Sequence, residues 1–244
     1  MVSGEQCIQG DFTGAAGEQG EHEGQPLTVI GPGFRINEGL DDRHHAQQCP
    51  LPSSPAKRNP IELERVNIHK TPHLTVSGED FGKINPKGYV LALQLGDGSL
   101  LSEGAVIAQY LADLNPDSGL MPPAGTLERY RAESWLNFIA TELHRMFSAW
   151  LFHAEYGAAI QQVARDKIGQ RLAYVEEQLT EQGPFLMGQQ FTAADAYLFT
   201  IAGWSTFAKI DLTPFPNLRS HMERIASRPK VQEALAAERM KPSA

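Results

Sequence analysis

Hydrophobic and polar positions follow two regimes along the chain, and the change comes near residue 60. Met1 to Gly24 holds almost no large apolar side chain among its Gly, Glu and Gln residues, a composition too poor in buriable surface to fold and one that predicts disorder. Leu40 to Asn59, with His44, His45, Gln47, Gln48 and several prolines, shows neither a helical nor a strand period. Between them Leu27-Thr28-Val29-Ile30, stopped by Gly31-Pro32-Gly33, is a candidate short strand. Beyond residue 60 the patterns become regular. Glu62 to Ile68 alternates charge with Leu63, Val66 and Ile68, which predicts a partly buried strand. Val90 to Leu95 and Leu100-Leu101, separated by Gly96-Asp97-Gly98, predict a β-hairpin. Glu103 to Leu114 has helical spacing at Val106, Ile107, Tyr110, Leu111 and Leu114, ended by Asn115-Pro116. After a Pro- and Gly-rich linker from Pro116 to Gly125, every pattern is helical: Thr126 to Phe152, Ala158 to Gln182, Thr192 to Lys209, and Asn217 to Met240 with a break at Arg228-Pro229.

The chain therefore divides into an atypical segment (1–59), disordered or frame-shifted, a small α/β unit (60–116), a linker (117–125) and an all-helical unit (126–244). With 244 residues and 41% apolar content it can bury one sizeable core or two modest ones. A formal charge of −8 without clustered Lys and Arg argues against a nucleic-acid surface. No run reaches the roughly 18 apolar residues of a membrane span, and Met1 to Gly20 lacks the basic and apolar regions of a secretory signal, so the expected location is the cytoplasm. Two cysteines, Cys7 and Cys49, both precede residue 60 and supply neither a disulfide framework nor a metal-binding or redox spacing.

One helical face is unusual. Tyr130, Ser134, Asn137, Thr141, His144 and Ser148 recur at spacings of 4, 3, 4, 3 and 4 and share a side, with Leu136, Ile139, Leu143, Phe147 and Trp150 on the opposite, core-facing side. A neutral polar stripe on a long helix suits a cleft or an interface; the plain alternative is a solvated face. Thr192-Ala193-Ala194-Asp195 is a capping box with Phe191 placed as its staple, a structural device that nucleates a buried helix. Trp135, Trp150 and Trp204 are read as core or pocket wall.

Asn85-Pro86-Lys87-Gly88, Glu103-Gly104, Tyr110-Leu111-Ala112-Asp113, Gly125-Thr126-Leu127-Glu128-Arg129-Tyr130, Asn137-Phe138-Ile139-Ala140-Thr141-Glu142-Leu143-His144 and Phe191-Thr192-Ala193-Ala194-Asp195-Ala196-Tyr197-Leu198-Phe199 stand in the order found in glutathione transferases. Over residues 60–244 the chain resembles that family, and most of all its bacterial β class. The resemblance implies a thioredoxin-like N-terminal domain followed by an all-helical C-terminal domain, a homodimer, glutathione as co-substrate without a metal, and a hydrophobic electrophile as second substrate. It also implies roles. Asn137, His144 and Arg145 would approach the thiol of glutathione, with His144 a polarising group near a thiolate and not a metal ligand. Glu103 and Gly104 would open a helix whose backbone N–H groups and positive dipole end receive the γ-glutamyl carboxylate, with Glu103 facing the amine. Lys70 would meet the glycyl carboxylate, and Val90 the cysteinyl backbone. Without the resemblance, Glu103 reads as a favourable charge in a first turn and Lys70 as a solvated loop residue.

Two departures matter. The family has Val-Pro, with a cis bond, where this chain has Val90-Leu91; a cis bond before a residue other than proline costs about 3 to 4 kcal/mol, so a trans bond and weakened glutathione affinity are expected. The family's first strand, first helix and thiol-activating residue are not recognisable before Pro60, which would leave the strand around Leu63 without its inner neighbour. Leu27 to Ile30 could serve as a substitute first strand. Alternatively the reading frame is displaced, since back-translation of 45–60 one frame over permits a Cys-Ser followed by Ser-Pro-Ala-Leu-Val-Ala-Arg-Glu-Ala, similar to the family's pattern. The leading expectation is a transferase, with activity possible to impair through that strand. The alternatives are a non-catalytic relative that binds or assembles, and a glutathione-dependent disulfide reductase, which would need a cysteine that residues 60–244 lack.

Overall fold

In the computed structural model, which describes residues 27–32, 61–67 and 72–239, the alternating stretch after residue 60 forms β2 (Ile61–Asn67) of a five-stranded sheet. The other strands are β1 (Leu27–Pro32), β3 (Leu74–Thr75), β4 (Ala92–Gln94) and β5 (Leu100–Ser102), in the order β3-β2-β1-β4-β5. β1 runs parallel to β2 and antiparallel to β4, placing Val29 in register with both Leu63 and Leu93. The expectation that the strand around Leu63 lacks an inner neighbour is thus corrected. The short apolar run of Leu27 to Ile30 occupies the central place, where strands of continuous apolar and β-branched residues pair well on both sides. The alternative of a displaced frame concerns residues that lie outside the described ones, as do Cys7, Cys49 and Lys70.

Each sheet face carries its own apolar cluster. On one, α2 (Gly104–Asp113) lays Ile107 against Leu93, with Leu91, Leu101 and Leu111 around them. On the other, the single turn α1 (Phe81–Ile84) buries Phe81 against Val66 and Ala92. Asp80 starts that turn by accepting from the Gly82 N–H at 3.0 Å.

The helical unit consists of α3 (Leu127–Phe138), α4 (Ala158–Gln182), α5 (Ala193–Gly203), α6 (Ser205–Ala208), α7 (Pro216–Ala226) and α8 (Pro229–Arg239). Its core is built on the almost wholly buried α5, wrapped by Leu136, Ile139, Leu143 and Phe147 and by Ile168, Leu172 and Val175 of α4. The carboxylate of Glu176 on α4 accepts from the first backbone N–H groups of α7, Asn217 at 3.0 Å and Leu218 at 2.8 Å, where the helix dipole favours a negative charge.

α3 does not end at Phe138. It continues as π-helical turns over Ile139–His144 and Phe147–Leu151. This wider winding corrects the expectation that Trp150 lies in the core: four positions after Phe147 comes Leu151, which is buried, while Trp150 turns outward with 41% of its surface exposed. Trp204 is fully buried and Trp135 packs at the core's edge.

The two units are tied by Arg129. Its guanidinium donates to both carboxylate oxygens of Asp113 at the end of α2, at 2.7 and 2.9 Å, to Glu133 on its own helix at 2.8 Å, and to the Pro122 carbonyl of the linker at 3.3 Å. The hydrogen bonds it donates to Asp113, assisted by Glu133, raise its pKa despite burial. Because Asp113 remains half-exposed, cutting the tie leaves no dry, unpaired carboxylate behind. Arg129→Ala is expected to lower unfolding stability by about 2 kcal/mol; a urea titration that moves by less than 0.5 kcal/mol (on the order of a surface change) would show the tie to be incidental.

Candidate functional site

The loop that precedes the cis bond is built by one buried amide. Asn85 donates from Nδ2 to the Tyr89 carbonyl at 2.7 Å and accepts the Lys87 N–H on Oδ1 at 3.2 Å, closing Asn85 to Tyr89 around Gly88, whose φ of +72° suits glycine. The chain then enters Val90-Leu91, and the peptide bond between them is cis, correcting the expected trans bond. Both side chains are anchored: Val90 packs beside Phe81 and Ala92 on one side of the sheet, Leu91 beside Leu93 and Ile107 on the other.

Glu103 stands at the start of α2 with φ +73°, a left-handed backbone unusual for a residue other than glycine and typical of functional sites. Its carbonyl accepts from Val106 and Ile107, at 3.0 and 2.9 Å, which fixes the helix start. Its carboxylate is paired: Lys87 Nζ lies 3.1 Å away and also reaches Ser102 Oγ at 3.0 Å. The pair is well exposed, so an incoming ammonium group can compete for it at little cost.

His144 belongs to the helical unit. Burial pushes its pKa down to about 4 from an ordinary 6.5, and the charge of Glu103 opposes that push. The stripe itself is present. Tyr130, Ser134, Asn137 and Thr141 are exposed, with the Thr141 hydroxyl donating to the Asn137 carbonyl at 3.0 Å. The π-helical winding turns His144 inward, where its Nδ1 meets Tyr197 Oη at 2.6 Å and its ring stands edge-on to Trp204 at 4.9 Å. Arg145 is exposed beside it and makes no ion pair with a described residue. Phe147, Phe152 and Trp204 form an aromatic wall next to the histidine.

Val90, Glu103, Gly104, Asn137, His144 and Arg145 are placed by the structure on the two segments just described, whereas Lys70 lies outside the described residues. Thr192 and Asp195 sit apart as a buried cap: Asp195 Oδ2 accepts from both the N–H and the hydroxyl of Thr192 at 2.8 Å. Sequence reasoning missed three partners, Lys87, Tyr197 and Trp204. The signal for Tyr197 was available, because a phenol within the apolar run Ala196 to Ala202 must find a polar partner once buried. Among the described residues no group of three His, Cys, Asp or Glu side chains is placed to hold a metal ion, and no helix is long and apolar enough to cross a membrane.

Residues 138–229 match the glutathione S-transferase C-terminal domain. The chain is 44% identical to the glutathione S-transferase GstA of Escherichia coli over 165 residues, 68% of this chain and 81% of that protein. Among solved structures it is similar to a glutathione transferase of Methylococcus capsulatus, with 50% identity and a TM-score of 0.70 over 73% of this chain and 86% of the other. A sphingomonad glutathione S-transferase complexed with glutathione is 36% identical, again with a TM-score of 0.70, over 74% and 88% of the two chains. With a thioredoxin-like sheet unit, an all-helical unit and identity of this extent to whole relatives, the chain belongs to the glutathione S-transferase family.

Proposed function

We propose that the protein joins glutathione, through its thiolate, to the electrophilic carbon of a hydrophobic substrate, acting as a homodimer in the cytoplasm and serving detoxification. The observation that carries this reading is the strained helix start at Glu103, whose exposed carboxylate is held only by an exchangeable Lys87 pair, together with a neutral His144 held by Tyr197 in the helical unit. The γ-glutamyl carboxylate would sit on the N–H groups that begin α2 at Gly104, and the amine would displace Lys87 from Glu103. The backbone of Val90 would take the cysteinyl part and Lys70 the glycyl carboxylate. The sulfur then comes to Asn137, His144 and Arg145, where a neutral donor and a nearby cation favour thiolate over thiol.

The sulfur's electron pair forms the new S–C bond, the leaving group departs with the electrons of the bond that breaks, and the thiol proton goes to solvent. The exposed pair of Trp150 and Tyr156 would offer apolar surface to the electrophile, over a core in which Phe147, Phe152 and Trp204 pack together. Dimerisation is supported by exposed apolar side chains, Val106 of α2, Leu114 just past its end, and Leu127 and Tyr130 of α3. The domain plan proposed is 60–116 and 126–244 joined by 117–125, with 27–32 added to the first unit.

Glutathione titrated into the full chain should bind, and a chlorinated nitroaromatic should be consumed in its presence with one S-aryl glutathione formed per molecule lost. Binding without turnover would reject conjugation, and absence of binding would reject the site itself.

A further inference from the structure

His144 is held from outside its own helix. Tyr197 on α5 places its phenol oxygen 2.6 Å from Nδ1, with the two rings nearly perpendicular at 84°, and Trp204 stands edge-on at 78°. Tyr197 and Trp204 are both buried. The imidazole makes no second hydrogen bond with a described residue, so Nε2 is the nitrogen left for a bound molecule.

A neutral imidazole carries its proton on one nitrogen only, and the partner of the other nitrogen decides which. Between a phenol and an imidazole the stronger pairing is O–H to bare ring nitrogen, because the phenol is the better donor and the ring nitrogen by far the better acceptor. We propose that Tyr197 is a positioning residue: its O–H donates to Nδ1 of His144 and fixes the ring's proton on Nε2, which makes His144 a hydrogen-bond donor to the glutathione sulfur and not the base that takes its proton. The use of that donor rests on the transferase reading above. The assignment of the proton does not.

The surroundings agree. Burial keeps the ring neutral at physiological pH, since its pKa falls to about 4, and among the described residues the charge of Glu103 opposes this. On the ring's own helix Glu142 is engaged by Arg171 at 2.7 Å, and Arg145 is turned to solvent. A ring whose Nδ1 already accepts from the phenol and whose Nε2 bears hydrogen presents only a donor to a bound molecule. The thiol proton must therefore leave to water, while Nε2–H stabilises the charge that remains on sulfur.

The test is the nitrogen chemical shifts of His144 in the 15N-labelled full chain at neutral pH, assigned by the signal that disappears in His144→Gln. The expected result is a protonated Nε2 and a bare Nδ1. A proton on Nδ1, or on both nitrogens, overturns the proposal using wild-type protein alone. In Tyr197→Phe the two tautomers should mix, and kcat for conjugation should fall about 10-fold with KM for glutathione little changed, the scale on which loss of a group that orients a functional histidine acts. An unchanged tautomer in that variant overturns the proposal equally. Protein that shows Nε2–H yet conjugates nothing upholds the assignment and overturns the transferase reading instead.

Discussion

Asp195→Ala is expected to cost about 4 kcal/mol of unfolding stability. Asp195 is fully buried, and every donor around its carboxylate depends on it. Oδ1 accepts from the Leu186 N–H at 2.8 Å and from Nε2 of the equally buried His221 at 3.0 Å; Oδ2 accepts from the N–H and hydroxyl of Thr192. Alanine would strand these donors in the buried core, and each buried unsatisfied donor costs about 1 to 3 kcal/mol. The loss also unpins the start of α5, around which the helical core is packed. The His221 side of the network already has an Nδ1 without a partner among the described residues, so His221→Phe, which keeps the volume and removes one donor, should cost only about 1 kcal/mol. Urea midpoints at constant m-value measure both. An Asp195→Ala variant within 1 kcal/mol of wild type (about the mean for any mutation) would mean that the cap does not hold the fold.

That network also marks what the sequence made legible. Its local half, Thr192 to Asp195, follows from a three-residue spacing that any reader of helix starts can see. Its distant half, His221, comes from a helix 26 positions on, and nothing in the spacing of Asn217 to Met240 singles it out. The same division runs through the site. Glu103-Gly104 and the stripe from Tyr130 to Ser148 are periodic or local features, visible in the sequence. Lys87, which holds Glu103, and Tyr197, which holds His144, depend on how the chain returns to itself.

Two errors had a common origin in assuming regular backbone. Trp150 was placed in the core because 3.6-residue winding carries it there, and π-helical turns after Phe138 give that place to Leu151. The Val90-Leu91 bond was expected to be trans from the local preference of an isolated peptide, yet the packing of both side chains goes with the cis form. β1 shows the opposite case. Four apolar and β-branched residues in a stretch otherwise without pattern were enough to signal a strand, while its central place in the sheet depends on pairing with β2 and β4, which no local signal encodes.

Acidification should unfold this protein partly through His144. Folded, the ring takes a proton only near pH 4; in the unfolded chain it does so near 6.5. Between those values the unfolded state binds more protons, so stability from this group is complete above pH 6.5 and is lost as pH falls toward 4, by about 3 kcal/mol in all. Carboxylates titrate in the same range, so the informative quantity is the difference between wild type and His144→Gln, measured by urea unfolding at pH 7.5, 6, 5 and 4.5 (roughly spanning the window set by the two states). Wild type should lose more than the variant, and the gap should open below pH 6.5. Parallel curves would mean that His144 is solvated and ionises normally, which would remove the neutral donor from the proposed chemistry as well. A ring that stays neutral down to pH 5 also sets no limb of the rate profile near pH 6: any such limb belongs to the glutathione thiol, and must persist in a His144→Gln enzyme at its lower rate.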